Sequence, residues 1–348
     1  MKNKIVIHGS QYKDNFGDTL LVKVIKDKLD VNFDVYSSTA SPKVRQDLNI
    51  KKANLFDIIF SPYFIYGGGG YFGQPNNNIN RWSKRFIIRH GLVGILRRLI
   101  CKKYIFLGTG FGPLTYPAAS LVAKFILNGA DSINLRDKES INYASELVNG
   151  AKLNETADLV PSYISNKHKK SPHANKLILH LHIPKNDHKK LNYILQNFIA
   201  FKNKNFQNYL IEVISDSEND ENQTWFFDII KNDYPEMITS TYQNFETTIE
   251  IIKNSIFVVT NKLHVAIVAA SMQIPVASIY MHNKTQRFFE QLNRPESAIP
   301  LDSLNESNDL ASFFETSYNN GLDLKHLEKL ITKSNMNLLT LEKWLSNE

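Results

Sequence analysis

Short apolar runs recur along the chain, separated by longer stretches in which apolar residues return every third or fourth position. The runs in "KIVIHG" (4–9), "FDVYS", "DIIF" with "YFIYGGGG", "YIFLGTGFGP", "SINLRD" and "TADLV" predict strands. Between them, "GDTLLVKVIKDKLD", "SPKVRQDLN", "RWSKRFIIRHGLVGILRRLICKK", "PAASLVAKFILNGA" and "KESINYASELV" predict helices. Most strand runs lack the period-two alternation of a half-solvated sheet. A parallel sheet covered on both faces is the expectation.

The polar, basic stretch "SNKHKKSPHANK" (165–176) breaks this rhythm and is the best linker candidate. The alternation then restarts with "LILHLHI" and continues through "YLIEVIS", "MITSTY", "SIFVVT" and "PVASIY", each followed or preceded by a helical pattern. At the end, Leu324, Leu327, Leu330, Ile331 and Leu338 share helical spacing. They predict a closing helix or helix pair packing back across the domain junction. No repeat of solenoid length is present. The expected architecture is two doubly wound, Rossmann-like α/β domains facing each other, 1–168 and 169–320, with a closing C-terminal helix over 321–348.

Composition changes this picture little. A chain of 348 residues suits two domains of roughly 150 residues each. Its net charge of +7 favours an anionic partner, but lysine and asparagine are spread throughout, so charge alone locates no site. The single cysteine, Cys101, excludes an internal disulfide framework and a cysteine-based zinc site, and points to a reducing cytoplasm. The start, "MKNKIVIHGS", does not read as a secretory signal. No uncharged apolar stretch of about 18 residues suggests a membrane span.

Doubly wound folds bind ligands beyond the carboxyl ends of their strands, where loops meet helix N-termini. Candidate residues are therefore weighed by that position. In the first domain, "HGSQYKDNFGD" offers Asp14, Asn15, Gly17 and Asp18. "YGGGGYFG" supplies Gly67, Gly68, Gly69 and Gly70, and "LGTGFGP" supplies Gly108, Gly110 and Gly112. Such glycines either make tight turns or bring backbone amides onto an anion. Neither run forms a dinucleotide fingerprint or a Walker motif. "NLRDKES" sets Arg136 between a strand and Asp137, the expected helix cap. A guanidinium there suits a carboxylate or phosphate, or it pairs on the surface with Asp137 or Glu139.

In the second domain, "VVTNKLHVAIVAAS" (258–271) turns from buried strand to buried helix with Lys262 and His264 in the first helical turn. Asn261 is the expected N-cap. Cations at that end oppose the helix dipole, which makes sense beside an anionic ligand. The alternative is a histidine satisfied by a neighbouring carbonyl. His180 and His182 share a strand face without a third ligand at metal-site spacing, and only His182, nearer the strand end, is a site candidate. Asp216 and Asp220 read as a solvated acidic loop. Eight basic residues between Arg81 and Lys103 read as a solvated helix face or as a peripheral contact with an anionic membrane surface, which would put the protein at the inner face of the membrane.

Taken in order, "NFGDTLL", "IYGGGGYF", "LGTGFGPL", "NLRDKES", "ADLV", "TNKLHVAIVAASMQIPVASI" and "NKTQRFFEQLN" resemble the polysaccharide pyruvyl transferase family over most of the chain. The resemblance implies a glycosyltransferase-B-like, two-domain enzyme. Such an enzyme moves the enolpyruvyl unit of phosphoenolpyruvate onto a sugar of a surface polysaccharide or its precursor, usually ending as a cyclic ketal. It implies that Arg136, in the family's R-D-x-x-S pattern, and His264, in its R-L-H pattern, act in donor binding or catalysis. Lys262 stands where the family commonly has arginine, which keeps the charge but loses the bidentate grip. His182 stands near the place of a further family arginine.

Phosphoenolpyruvate as donor, a sugar or lipid-linked oligosaccharide as acceptor, and no cofactor or metal are the implied partners. In this reading Lys262, Asn15, Gly17, Asp18, Gly68, Gly69, Gly70 and Gly110 line the donor. Asp18 or Asp158 takes the hydroxyl proton. A nucleotide-sugar-dependent glycosyltransferase of the same architecture and a non-catalytic sugar- or anion-binding relative are the alternatives. A nucleic-acid binder is disfavoured, since no recognised module is present.

Overall fold

The apolar runs become strands of two parallel sheets, because side chains apolar on both faces can be buried only under helices on both sides. The computed structural model describes residues 3–29, 33–148, 152–218, 220–305 and 309–346. The first sheet comprises β1 (Asn3–His8), β2 (Phe33–Ser37), β3 (Lys51–Lys52), β4 (Tyr63–Tyr66), β5 (Gly69–Phe72), β6 (Ile105–Phe111), β7 (Ser132–Leu135) and β8 (Leu153–Glu155). Its order is β3-β2-β1-β4-β6-β7-β8, with β5 also pairing β6, and every pairing is parallel. The second comprises β9 (Lys176–His180), β10 (Leu210–Ile214), β11 (Ile238–Ser240), β12 (Ser255–Thr260), β13 (Val276–Tyr280) and β14 (Ala298–Pro300). Its order is β11-β10-β9-β12-β13-β14, again all parallel. In each sheet the first strand lies between its successor and a later strand, which is the doubly wound, Rossmann-like pattern.

Every residue of β4, β6 and β12 is buried. Tyr66 and Phe106 stack in the first core, while Phe198, Phe201 and Phe314 crowd together in the second. The chain divides into one unit of residues 1–14, 18–160 and 332–348 and another of 15–17 and 161–331. The division between the large segments falls at Val160–Pro161, ahead of the linker candidate 165–176, within the described helix Val160–Lys167.

The last helix, Leu324–Ser346, is shared: its residues to Ile331 cluster with the second unit and those from Thr332 with the first. There the Trp344 indole N–H donates to Asp131 at 2.7 Å, and the Asn337 amide donates to the Ala157 carbonyl at 2.9 Å. The final two residues of the expected 321–348 element lie outside the described residues.

Three strand expectations are corrected. The strand expected at "DIIF" (57–60) is the end of the helix Leu55–Phe60, because Asn54 and Asp57 cap its start reciprocally. The strand expected at "TADLV" lies just before it, at Leu153–Glu155, because Val160 already opens a helix and Asp158 turns back to accept from the Val160 amide at 3.1 Å. Each glycine run is partly strand: Gly69 and Gly70 lie in β5, Gly108 and Gly110 in β6, while Gly67, Gly68 and Gly112 stand outside the strands. Gly69–Phe72 pairs with β6, Gly69 opposite Thr109 and Phe72 opposite Phe111.

Candidate functional site

In the first unit, Arg136 follows β7 and is nearly buried. Its backbone N–H donates to the Thr109 carbonyl at 3.2 Å, and its Nε lies 3.4 Å from Asp137 Oδ2. Asp137 is the expected cap: its other oxygen accepts from the Ser140 amide at 2.7 Å, opening the helix Lys138–Ser145. The guanidinium lies flat against Gly110, where a Cβ would stand only 2.7 Å from its central carbon. At Gly70 a Cβ would come within 3.6 Å of Nη2. Arg136, Gly110 and Gly70 are thus brought together by β5, β6 and β7.

The remaining glycines serve packing or backbone geometry. A Cβ at Gly68 would meet Leu21 at 2.7 Å, and Gly69 holds a φ of 117° that other residues rarely adopt. β5 pairs with β6 through Gly69–Thr109 and Phe72–Phe111, so part of the backbone bonding of the two runs is spent between them. Asp18 sits in the first turn of the helix Phe16–Leu29, and Asp158 is buried.

In the second unit, the sheet reverses its winding between β9 and β12, and the polar side chains gather at the carboxyl ends of those strands. His180 Nδ1 and Thr260 Oγ1 are 2.9 Å apart, joining the two strand ends. Asn261 is not the N-cap. Its side chain is spent on the backbone of His182, accepting from the N–H at 3.0 Å and donating to the carbonyl at 2.8 Å. Lys262 therefore takes the cap position without a side-chain capping bond, and His264 is the second residue of the helix Leu263–Ser271.

Asp216 is buried, and the expectation of a solvated loop is corrected there. Its Oδ1 accepts from Gln223 at 2.7 Å and lies 3.6 Å from His180 Nε2, while Lys262 Nζ stands 3.7 Å from Oδ2. Burial pushes this carboxyl up. The His180 hydrogen bond, the charges of His180 and Lys262, and the Gln223 hydrogen bond outweigh burial and hold it far below the usual range. His182 pairs with Asp220 at 2.9 Å. Asp220 also caps the helix Glu221–Asp233, accepting from the Asn222 and Gln223 amides.

Residues 15–17 belong here although the sequence places them in the first domain. The Phe16 N–H donates to the Asp216 carbonyl at 2.8 Å, and Asn15 bridges Ser217. Gly17 lies against His264 so closely that a Cβ would stand 2.1 Å from the ring's Nδ1. Asn15, Gly17, Lys262, His264 and His182 therefore share one unit, and Arg136, Asp18, Asp158, Gly68, Gly69, Gly70 and Gly110 the other.

Sequence reasoning missed His282, which follows β13. Desolvation and the neighbouring charges of Lys284, Lys262 and His182 lower its pKa, which favours the neutral imidazole there. The strand-end rule would have found it. Among the described residues, no group of three or more His, Cys, Asp or Glu is placed to hold a metal ion.

The chain's fold is shared by solved structures at low sequence identity. A putative UDP-N-acetylglucosamine 2-epimerase from Listeria monocytogenes aligns at TM-score 0.62 and 11% identity, covering 100% of this chain and 98% of that one. The UDP-GlcNAc 2-epimerase of Neisseria meningitidis bound to UDP-GlcNAc gives 0.61 and 10%, covering 100% of both. Anabaena HepE in complex with UDP and glucose gives 0.59 and 11%, covering 99% and 100%. At such identities the likeness establishes the glycosyltransferase-B-type fold and nothing about ligand. No curated protein matches by sequence. The family described as polysaccharide pyruvyl transferase does match, over residues 15–283, a span holding Arg136, Lys262 and His264; the chain belongs to the polysaccharide pyruvyl transferase family.

Proposed function

We propose that the protein transfers the enolpyruvyl unit of phosphoenolpyruvate to a sugar of a surface polysaccharide or its precursor, releasing phosphate and closing a pyruvate ketal. The observation that carries this reading is the chemistry at the β12 end. Lys262 and His264 occupy the start of a helix whose dipole disfavours cations, and Asn261, next to Lys262, holds the backbone of His182. A small donor carrying a phosphate and a carboxylate matches such a cluster. Arg136, the guanidinium after β7, serves the same donor.

The steps balance as follows. His264, as imidazolium, gives a proton to the methylene carbon, leaving positive character on the central carbon. A sugar hydroxyl attacks that carbon, and its proton passes to Asp18 or Asp158. The carbon–oxygen bond to phosphate breaks, and a second hydroxyl adds with loss of its proton. Lys262 and Arg136 hold the phosphate and carboxylate throughout. General acid help of this kind is worth about 10²–10⁴ in rate. The scheme calls on no metal or cofactor.

The test is incubation with phosphoenolpyruvate and a panel of sugar acceptors, following phosphate release and the acceptor's mass. The expected product is heavier by one pyruvate less one water, and His264→Ala loses it. Turnover of a UDP-sugar in place of phosphoenolpyruvate would assign the fold's more familiar chemistry instead. Acceptor binding without turnover of either donor would make the protein a non-catalytic relative.

A further inference from the structure

The basic segment does not present the face its sequence suggests. Arg97 points inward, donating to the carbonyls of Ile58, Ser61 and Lys103, and is fully buried. Gly91 and Gly94 face inward too: a Cβ at Gly91 would meet Val122 at 2.7 Å, and one at Gly94 would meet Ile126 at 2.8 Å. With those positions turned in, leucine and isoleucine turn out. Ile88, Leu92, Leu96 and Leu99 recur at every fourth or third position and form one exposed stripe along Ile87–Gly91 and the helix Leu92–Leu99.

Two helices packed against Leu92–Leu99 expose apolar residues of their own. Leu55 and Phe56 come from Leu55–Phe60, and Leu121 comes from Pro117–Gly129. Leu55, Phe56, Ile88, Leu99 and Leu121 are each 64–69% exposed. Scattered exposed leucines need no explanation, but a stripe of them at helical spacing along one face does.

On the two longer segments the charge has one sign, and Asp57 of the helix Leu55–Phe60 is buried and paired with Lys4. Residues 79–103 and 117–129 contain no Asp or Glu. Their exposed charges, Arg81, Lys84, Arg85, Arg89, Lys103 and Lys124, are all positive. Among the described residues no helix is long and apolar enough to cross a membrane. An apolar stripe beside cations alone matches a surface whose interior is hydrocarbon and whose headgroups are anionic.

We propose that this face of the first unit seats on an anionic phospholipid bilayer, with the Ile88–Leu99 stripe buried at the headgroup boundary and the cations on the headgroups. The proposal stands apart from the donor reading, since vesicle binding requires neither donor nor acceptor.

The test is co-sedimentation of the full chain with vesicles of phosphatidylcholine alone or mixed with phosphatidylglycerol. Binding is expected only to the mixed vesicles and should weaken with salt. L96E/L99E should lower partitioning at least about tenfold, and K84E/R85E about fivefold for each charge. Ile88→Ser with Leu92→Ser repeats the test on the same stripe should the glutamates impair folding. Wild-type protein remaining in the supernatant with phosphatidylglycerol vesicles would overturn the proposal, as would L96E/L99E binding unimpaired. Gel filtration showing a wild-type dimer that L96E/L99E converts to monomer would assign the face to a second copy and overturn it equally.

Discussion

Gly110 and Gly17 do the same physical work at two places: each is the floor against which a side chain of the proposed chemistry lies. At Gly110 the atoms a Cβ would meet are Cζ, Nη2 and Nε of Arg136, all at 2.7–2.8 Å. They are the far end of a flexible side chain, so the guanidinium would swing aside and the fold would survive. Gly110→Ala is therefore expected to leave thermal stability nearly unchanged. It should cost donor-dependent turnover roughly 10²-fold, the scale of a displacement of about 1 Å in a positioned group. Parallel melting curves and turnover assays check this, and retained activity would remove Arg136 from the donor site. At Gly17 the clash is with a ring on a short stem, so the same substitution must push His264 itself.

Between elements, the buried pair His8–His90 ties the end of β1 to the wide turn Ile87–Gly91. His8 Nε2 and His90 Nδ1 are 2.8 Å apart, and His8 Nδ1 lies 2.8 Å from Ser38 Oγ. Burial, with His90 nearby, holds His8 well below its usual value, and burial with Arg89 brings His90 down to about 4. Both are neutral in the fold, whereas unfolded histidine takes its proton near pH 6.5. Stability is thus intact above about pH 6.5 and falls as pH drops, by roughly 3 kcal/mol from His90 alone once pH nears 4. Denaturant unfolding of wild type and His90→Gln across that window checks it: the variant should show the flatter profile. Equal slopes would show that the pair does not govern acid stability.

The same scale shows what a sequence reveals. Apolar runs announced the parallel strands, since a two-sided core admits little else. Arg136 was legible because a strand, an arginine and a capping Asp137 stand in line. β6 was announced by the apolar start of its run, but β5 as a strand of its own was not, because glycine has no strand preference and Gly69–Phe72 is a strand through its pairing with β6. Nor was the burial of Asp216: an acidic loop looks solvated until residues 15–17 and the Gln223 side chain fold over it. Arg97 counted as surface charge until four carbonyls claimed its guanidinium.

Across the whole molecule, two Rossmann-like units each carry part of the proposed chemistry, Arg136 in one and His264 with Lys262 in the other. Groups that act together on one reacting molecule lose their effect together, so their removal is far from additive. The most direct test is phosphoenolpyruvate-dependent phosphate release by Arg136→Ala, His264→Ala and the double variant on a common acceptor. Each single variant should lose at least about 10²-fold, and the double variant should be scarcely worse than the poorer single one. Wild-type turnover in either single variant, or a double loss equal to the product of the two, would contradict a shared donor.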